Sequence, residues 1–188
     1  VKDPLLIDFP HEFHTERLFI RIPLPGDGEA VYQAMQASKN ELIEWLEFAR
    51  NEDPLETVER NVREAHINFL KRDDLRLHIF HRETGEFIGS TGLHNINWKV
   101  PKFEIGYWID TRYSGKGYMT EAIEGVTMYA LYALGANRIE IRCDTKNKKS
   151  RAIPERLGYT LEGILRHDSL DTSGIKLRDT CIYAKVRE

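Results

Sequence analysis

The chain has 188 residues, 41% of them hydrophobic and 30% charged, which fits one ordinary folded domain and excludes a disordered or collagen-like chain. A net charge of -3, from 27 Lys plus Arg against 30 Asp plus Glu, argues against a general nucleic-acid binder, which carries a basic excess. The longest apolar run, Met128 to Leu134, is far short of the roughly 20 residues of a membrane span, and no charged-then-apolar leader is expected.

Residues 1–14, with Pro4 and Pro10, read as an irregular lead-in to a single domain covering the chain. Glu16 to Ile22 alternates, with Leu18, Ile20 and Ile22 on one side, and predicts a strand. Pro23, Pro25 and Gly26 stop it, and Asp27 then caps a helix carrying Val31 and Met35. A second helical stretch is expected over Leu42 to Ala49, and a third from Pro54 through Leu70. Leu75 to His81 and Glu86 to Leu93 form a hairpin around Thr84-Gly85.

Phe103 to Asp110 predicts another strand, followed by a loop with two glycines. Met119 to Leu134 has helical spacing and ends at Gly135. Arg138 to Cys143 alternates as a strand, residues 148–157 form a short helix, and Tyr159 to Leu165 is a strand. Asp168 to Lys176 reads as a turn-rich connection before a closing strand, Leu177 to Val186. The whole is an α/β or α+β domain: a mixed, mostly antiparallel sheet of about seven strands with helices on both faces. Cys143 and Cys181 lie in apolar-patterned strands without the Cys/His spacing of a metal site. They read as reduced buried thiols, which points to the cytoplasm.

The segment YWIDTRYSGKGYMTEA, residues 107–122, concentrates the chemistry. A strand runs through a glycine loop straight into a helix, whose free N–H groups and dipole favour an anion. Gly115 and Gly117 let the backbone approach a phosphate, and Arg112 and Lys116 add charge. Two glycines alone are weak evidence, since most such pairs are ordinary turns. Neither a Walker loop nor a full Gly-x-Gly-x-x-Gly pattern is present.

Arg112-x-x-Gly115-x-Gly117 after FEIGYWID resembles the acetyl-coenzyme-A motif of the GNAT N-acetyltransferases, over roughly Glu16 to Val186. Within that family the chain is similar to the RimJ/RimL branch, which acetylates ribosomal-protein amino termini. The branch-like pieces are HTERLFIR (14–21), IGYWID (105–110), GKGYMTEA (115–122), NRIEIRCDTKNKKSRA (137–152), LGYTLEGILR (157–166) and RDT (178–180).

The resemblance implies a GNAT fold, splayed between its fourth and fifth strands, with the pantetheine arm of acetyl-CoA on the backbone of Ile109 and Asp110. Gly106 suits a bulge that starts the splay, or simply close packing. The pyrophosphate would lie on Ser114, Gly115, Lys116, Gly117 and Tyr118, with Thr120 near the helix start. Asn147 would contact the cofactor and Ser150 would protonate the departing thiolate, although Asn147 also suits a helix N-cap. Lys146, Lys148, Lys149 and Arg151 offer a seat for the 3′-phosphate. Pro154 cannot donate to the carbonyl of Ser150, so the helix either begins late or kinks there.

Acetyl transfer needs a neutral amine. Glu104 and Asp168 are the candidate carboxylates: Glu104 as base, Asp168 orienting the acceptor, with Ser169 the nearer match to the branch's carboxylate position. Trp45 and His94 would line the acceptor side, His94 as a proton relay. No metal is called for, and Cys143 reads as packing rather than as a nucleophile, so a direct ternary-complex transfer is expected. The expected acceptor is a protein amino terminus. A small amine such as a polyamine, amino acid or aminoglycoside, or a non-catalytic acyl-CoA sensor, are the alternatives. No membrane or direct nucleic-acid partner is expected, and a homo-oligomer is allowed.

Overall fold

The computed structural model describes residues 3–187. Among these residues, eight strands form one sheet: β1 (Glu12–His14), β2 (Leu18–Arg21), β3 (Leu75–His81), β4 (Phe87–Asn97), β5 (Lys102–Ile109), β6 (Arg138–Asp144), β7 (Thr160–Leu170) and β8 (Leu177–Val186). Four helices accompany them: α1 (Gly28–Leu42), α2 (Leu55–Lys71), α3 (Tyr118–Tyr132) and α4 (Lys148–Arg156). The strand order is β1-β2-β3-β4-β5-β6-β8-β7. Every pairing is antiparallel except β5 with β6. The eighth strand is β1, inside the lead-in expected to be irregular; it is three residues long, too short to show a period.

Side-chain alternation sorts the helices onto two faces. Val31 and Ala34 of α1 and Val58 and Val62 of α2 pack with Phe80, Phe87 and Trp108. On the other face, Met119, Ala122, Ile123 and Val126 of α3 pack into the main core with Leu18, Ile20, Leu77, Phe103 and Ile105. Trp98 joins that core, its indole N–H donating to the Arg72 carbonyl at 3.0 Å. Among the described residues, no helix is long and apolar enough to cross a membrane.

The parallel β5–β6 pairing runs only from Lys102↔Arg138 to Ile105↔Ile141. Beyond Ile105 the two strands part, while β5 stays paired to β4 as far as Ile109. The splay is therefore present, but not through a bulge at Gly106, which pairs regularly with Gly92. The ladder's irregularity falls instead between His94 and Asn97.

Two other expectations are corrected. The helix expected over Leu42 to Ala49 is not formed: α1 ends at Leu42, Leu46 is extended, and a short 3-10 turn covers Glu47–Arg50. Arg178 donates to the carbonyls of Glu44 and Trp45, which holds this segment as a connector. Asp168 is not in a turn-rich connection but within β7, and the hairpin tip spans only residues 171–176.

Candidate active site

The glycine loop begins where β5 ends. The Asp110 carboxylate is fully buried, caps a short 3-10 turn over Thr111–Tyr113, and holds Arg112 at 2.6 Å. Arg112 is thereby tied to its own loop, and this contact raises its pKa further. Ser114 closes the turn, its N–H on the Thr111 carbonyl at 3.1 Å. Gly115 and Gly117 follow at φ +77 and +78, left-handed values that a side chain strains.

Gly117 caps α3, whose first satisfied N–H is that of Glu121, on the Gly117 carbonyl at 3.1 Å. No acceptor among the described residues meets the N–H groups of Tyr118, Met119 and Thr120. Nor would a Cβ at Gly115 meet anything within 4 Å. An open cradle of donors at a helix start suits a polyphosphate. Thr120 stands in that first turn and also lines a groove of about 640 Å³ with Thr15, Glu121 and Arg156. Lys116 lies over the Tyr113 ring, its Nζ 5.6 Å from the centroid.

The loop has a buttress that the sequence did not reveal. Arg17 donates to the Lys116 carbonyl at 3.0 Å, to Glu121 at 2.6 Å, and lies over the Tyr118 ring. Burial alone would raise the pKa of Glu121, but hydrogen bonds from Thr15 and Arg17 outweigh it and hold the carboxyl below its usual value.

The splayed edge continues from this loop. The N–H of Asp110 donates to Ile88 on β4, at 2.9 Å. Strand alternation therefore turns the peptide groups of Tyr107 and Ile109 the other way, into the gap left by β6. The peptide groups of Tyr107 and Ile109 are thus the ones that face the gap, whereas the N–H of Asp110 is engaged with Ile88 and its carbonyl with the Tyr113 N–H.

At the far side of the gap stands α4. Asn147 is its N-cap, accepting from the Ser150 N–H at 3.1 Å. The helix starts at Lys148, and Pro154 lies inside it. Having no N–H, Pro154 leaves the Ser150 carbonyl free. The Tyr107 hydroxyl fills that vacancy, donating to the Ser150 carbonyl at 2.8 Å, while the Ser150 hydroxyl donates to the Tyr107 oxygen at 3.2 Å. Burial holds the Tyr107 pKa well above the ordinary tyrosine value. Cys143 lies nearby on β6, half-buried, and burial pushes its thiol up to about 11. That makes it a poor nucleophile near neutrality. Lys146 is exposed just before α4 and Lys148 and Lys149 are exposed in its first turn, whereas Arg151 bonds the Thr145 carbonyl and the Tyr183 hydroxyl.

The opposite face of the sheet carries the remaining residues. Glu104 and His94 are cross-strand partners on β5 and β4. Glu104 accepts from Asn95 at 2.7 Å, and His94 Nδ1 lies 2.5 Å from Asp74. Asp168, on β7, pairs with Arg142 at 3.2 Å. Trp45 is half-buried under Arg178, whose guanidinium lies 5.8 Å from the indole centroid. Arg178 also pairs with Asp144 at 3.1 Å, and Thr172 at the hairpin tip donates to the Ile43 carbonyl at 2.7 Å. The α1–α2 connector and the β7–β8 hairpin are thus clasped together.

Residues 17–160 match the family described as "Acetyltransferase (GNAT) domain". YdaF of Bacillus subtilis (strain 168), whose name assigns it provisionally to ribosomal N-acetylation, is 32% identical over 92% of this chain and 93% of its own. The ribosomal-protein-serine acetyltransferase of Escherichia coli (strain K12) is 27% identical over 92% and 94%. Among solved structures, the microcin C7 self-immunity acetyltransferase MccE, crystallised with acetyl-CoA and AMP, is similar at a TM-score of 0.85, with 25% identity over 92% of this chain and 94% of that one. A RimL structure with coenzyme A shares the fold at a TM-score of 0.84, 21% identity, and 95% and 97% coverage. The strand gap, the glycine loop and these matches lead to one conclusion: the chain belongs to the GNAT acetyltransferase family and is an N-acetyltransferase.

Proposed function

We propose that this enzyme transfers the acetyl group of acetyl-CoA to a protein amino terminus, such as that of a ribosomal protein, by direct attack in a ternary complex. The observation that carries this reading is the gap beyond Ile105 and Ile141. It is open to a linear thioester and flanked on one face by the Tyr107–Ser150 hydroxyl pair.

The roles follow from position. The N–H groups opening α3 hold the pyrophosphate. The turned-out peptide groups of Tyr107 and Ile109 hold the pantetheine, and the exposed lysines 146, 148 and 149 take the 3′-phosphate. Ser150, backed by Tyr107, protonates the sulfur as it leaves. Glu104 and Asp168 lie on the acceptor face, where carboxylates attract a positively charged amino terminus. Such an amine has a pKa near 8, so a modest base suffices to bring it in neutral. The two relatives named for ribosomal proteins support a peptide acceptor. Cys143 and Cys181, register partners on β6 and β8, are free thiols, which suits the reducing cytoplasm.

The test is thiol release from acetyl-CoA with a panel of amino-terminal peptides and small amines. Turnover of peptides is expected. Turnover of small amines alone would move the acceptor to that class. Tight acetyl-CoA binding without thiol release from any amine would leave a sensor.

A further inference from the structure

We propose that His94, oriented by Asp74, is the group that takes the proton from the acceptor amine. This rests on the acetyl-transfer reading above and reassigns a role that sequence position suggested for Glu104.

The imidazole occupies a seat made by two glycines. Gly92 on β4 and Gly106 on β5 face each other in register. A Cβ on Gly106 would stand 3.3 Å from His94 Cδ2 and 3.5 Å from Nε2, and a Cβ on Gly92 would stand 2.9 Å from Cε1. The ring therefore lies over Gly106. That residue is the first beyond the last β5–β6 pair, so the ring lies at the fork where the gap opens.

The ring is also aimed. Nδ1 is 2.5 Å from Asp74 Oδ2, and an ionised carboxylate there fixes the proton on Nδ1. Nε2 then carries the lone pair. No described residue hydrogen-bonds to it, and the side chain is 32% exposed. The charged groups around the ring are Asp74 and Arg76 at the start of β3, Glu104 opposite on β5, and Glu140 beyond Glu104 on β6. Glu140 is paired with Lys102 and Arg138. Glu104, steadied by Asn95, is left to attract the incoming ammonium.

The arrangement puts base and acid on opposite faces of the sheet. Gly106 and Tyr107 are consecutive on β5, so the groups above and below them address the same point of the gap. An amine that arrives as an ammonium first gives one proton to Nε2, which releases it through water to solvent. The neutral nitrogen then forms a bond to the acetyl carbon, the carbon–sulfur bond breaks, the second proton leaving nitrogen goes to Nε2, and the sulfur takes one from the Tyr107–Ser150 pair. Water returns that proton from the imidazolium to the pair, so charge and atoms balance with one proton released to solvent per ammonium consumed.

Steady-state acetylation of the best amine of the panel is measured for His94→Ala, Gly106→Ala, Asp74→Asn and Glu104→Gln across pH. His94→Ala is expected to lower kcat at neutral pH by about 10²–10³-fold, with the acetyl-CoA KM unchanged. The loss shrinks in alkali, where the amine arrives neutral, and added imidazole restores part of it. Gly106→Ala lowers kcat by displacing the ring and adds nothing to His94→Ala in the double variant. Asp74→Asn lowers kcat and moves the ring proton; Glu104→Gln chiefly raises the acceptor KM. A loss in His94→Ala of less than tenfold, a loss that imidazole leaves untouched, or a larger kcat loss in Glu104→Gln overturns the assignment. Nitrogen-15 NMR of the neutral ring gives a readout that needs no acceptor. A proton on Nδ1 is expected, and one on Nε2 overturns the proposal. If the protein acetylates no amine in the panel, the acceptor reading fails separately.

Discussion

Tyr107 and Ser150 exchange two hydrogen bonds across the strand gap, phenol to carbonyl at 2.8 Å and serine hydroxyl to phenol at 3.2 Å. The first exists because Pro154, four residues after Ser150, has no N–H for that carbonyl. A proline that would ordinarily weaken a helix here hands one of its carbonyls to the neighbouring strand.

If Ser150 protonates the leaving sulfur, Ser150→Ala lowers kcat by about 10²-fold or more while acetyl-CoA affinity stays near wild type. Asn147 still caps the helix in that variant, but loses nothing it holds, since it bonds the Ser150 backbone N–H. A parallel fall in melting temperature and activity would mark Ser150 as structural.

The glycine loop gives the second prediction. Gly117 sits at φ +78 and its carbonyl receives the first helical hydrogen bond of α3. A β-branched side chain strains that conformation and covers the donor cradle. Gly117→Val is expected to abolish coenzyme A binding by calorimetry with a near-native circular-dichroism spectrum. Lys116→Ala is expected to be milder, because the backbone supplies most of the donors. Unchanged affinity in Gly117→Val would remove the pyrophosphate from this loop.

Arg17 fixes that same loop from 99 residues away, through the Lys116 carbonyl. Arg17→Ala is expected to weaken coenzyme A binding about tenfold, equivalent to about 1.4 kcal/mol, through loss of loop order alone. Glu121→Gln keeps the geometry but removes the charge, so it is expected to lose less. The same calorimetric titration separates the two.

Local chemistry made much of this legible. Positive-φ glycines, an asparagine cap and a strand–loop–helix junction are written in neighbouring residues, and all stand in the structure. Long-range capture was not legible. The stretch 42–49 has helical spacing, yet Arg178 takes the carbonyls of Glu44 and Trp45 from more than 130 residues away. Asp168 looked like part of a turn because Asp171 to Gly174 are turn formers. The β7–β8 ladder nevertheless resumes at Ser169↔Arg178, past an irregularity after Leu165. The seat of His94 needs Gly92 and Gly106 in register, which no single segment reveals. Arg17 and Tyr107 were missed for the same reason: each reaches a partner on a distant element.

Stability carries a pH prediction. Asp27 pairs with Arg21 and His78, both at 2.8 Å, beside the start of α1. Burial alone would raise its pKa, but the Arg21 and His78 hydrogen bonds outweigh this and hold the carboxyl far below the usual range. A depressed folded pKa stabilises above the unfolded value of about 3.9 and loses that stability as pH falls toward the folded one. Asp27→Asn is expected to cost about 3 kcal/mol at pH 7, since it leaves Arg21 unpaired. The gap from wild type should narrow below about pH 4 in denaturant titrations. A constant gap down to pH 3 would contradict this linkage.

The last prediction concerns the proposed wall of the acceptor side. Arg178 bonds the Glu44 and Trp45 carbonyls and the Asp144 carboxylate, and Thr172 bonds the Ile43 carbonyl. These contacts join the α1–α2 connector to the β7–β8 hairpin, and none of them lies in the glycine loop or on the Tyr107–Ser150 pair. Loosening the clasp should therefore disturb acceptor binding without touching the acetyl donor. Thr172→Val removes one hydrogen bond, worth about 1 kcal/mol, so a several-fold rise in acceptor KM is expected. Arg178→Ala removes several contacts and leaves Asp144 without its ion-pair partner, so a larger rise is expected, with some loss of stability. In both variants the acetyl-CoA KM should stay within about twofold of wild type, because the removed binding is specific to the acceptor. Equal rises in both KM values would show that the clasp supports the whole gap, and an unchanged acceptor KM would show that the acceptor does not pass this wall.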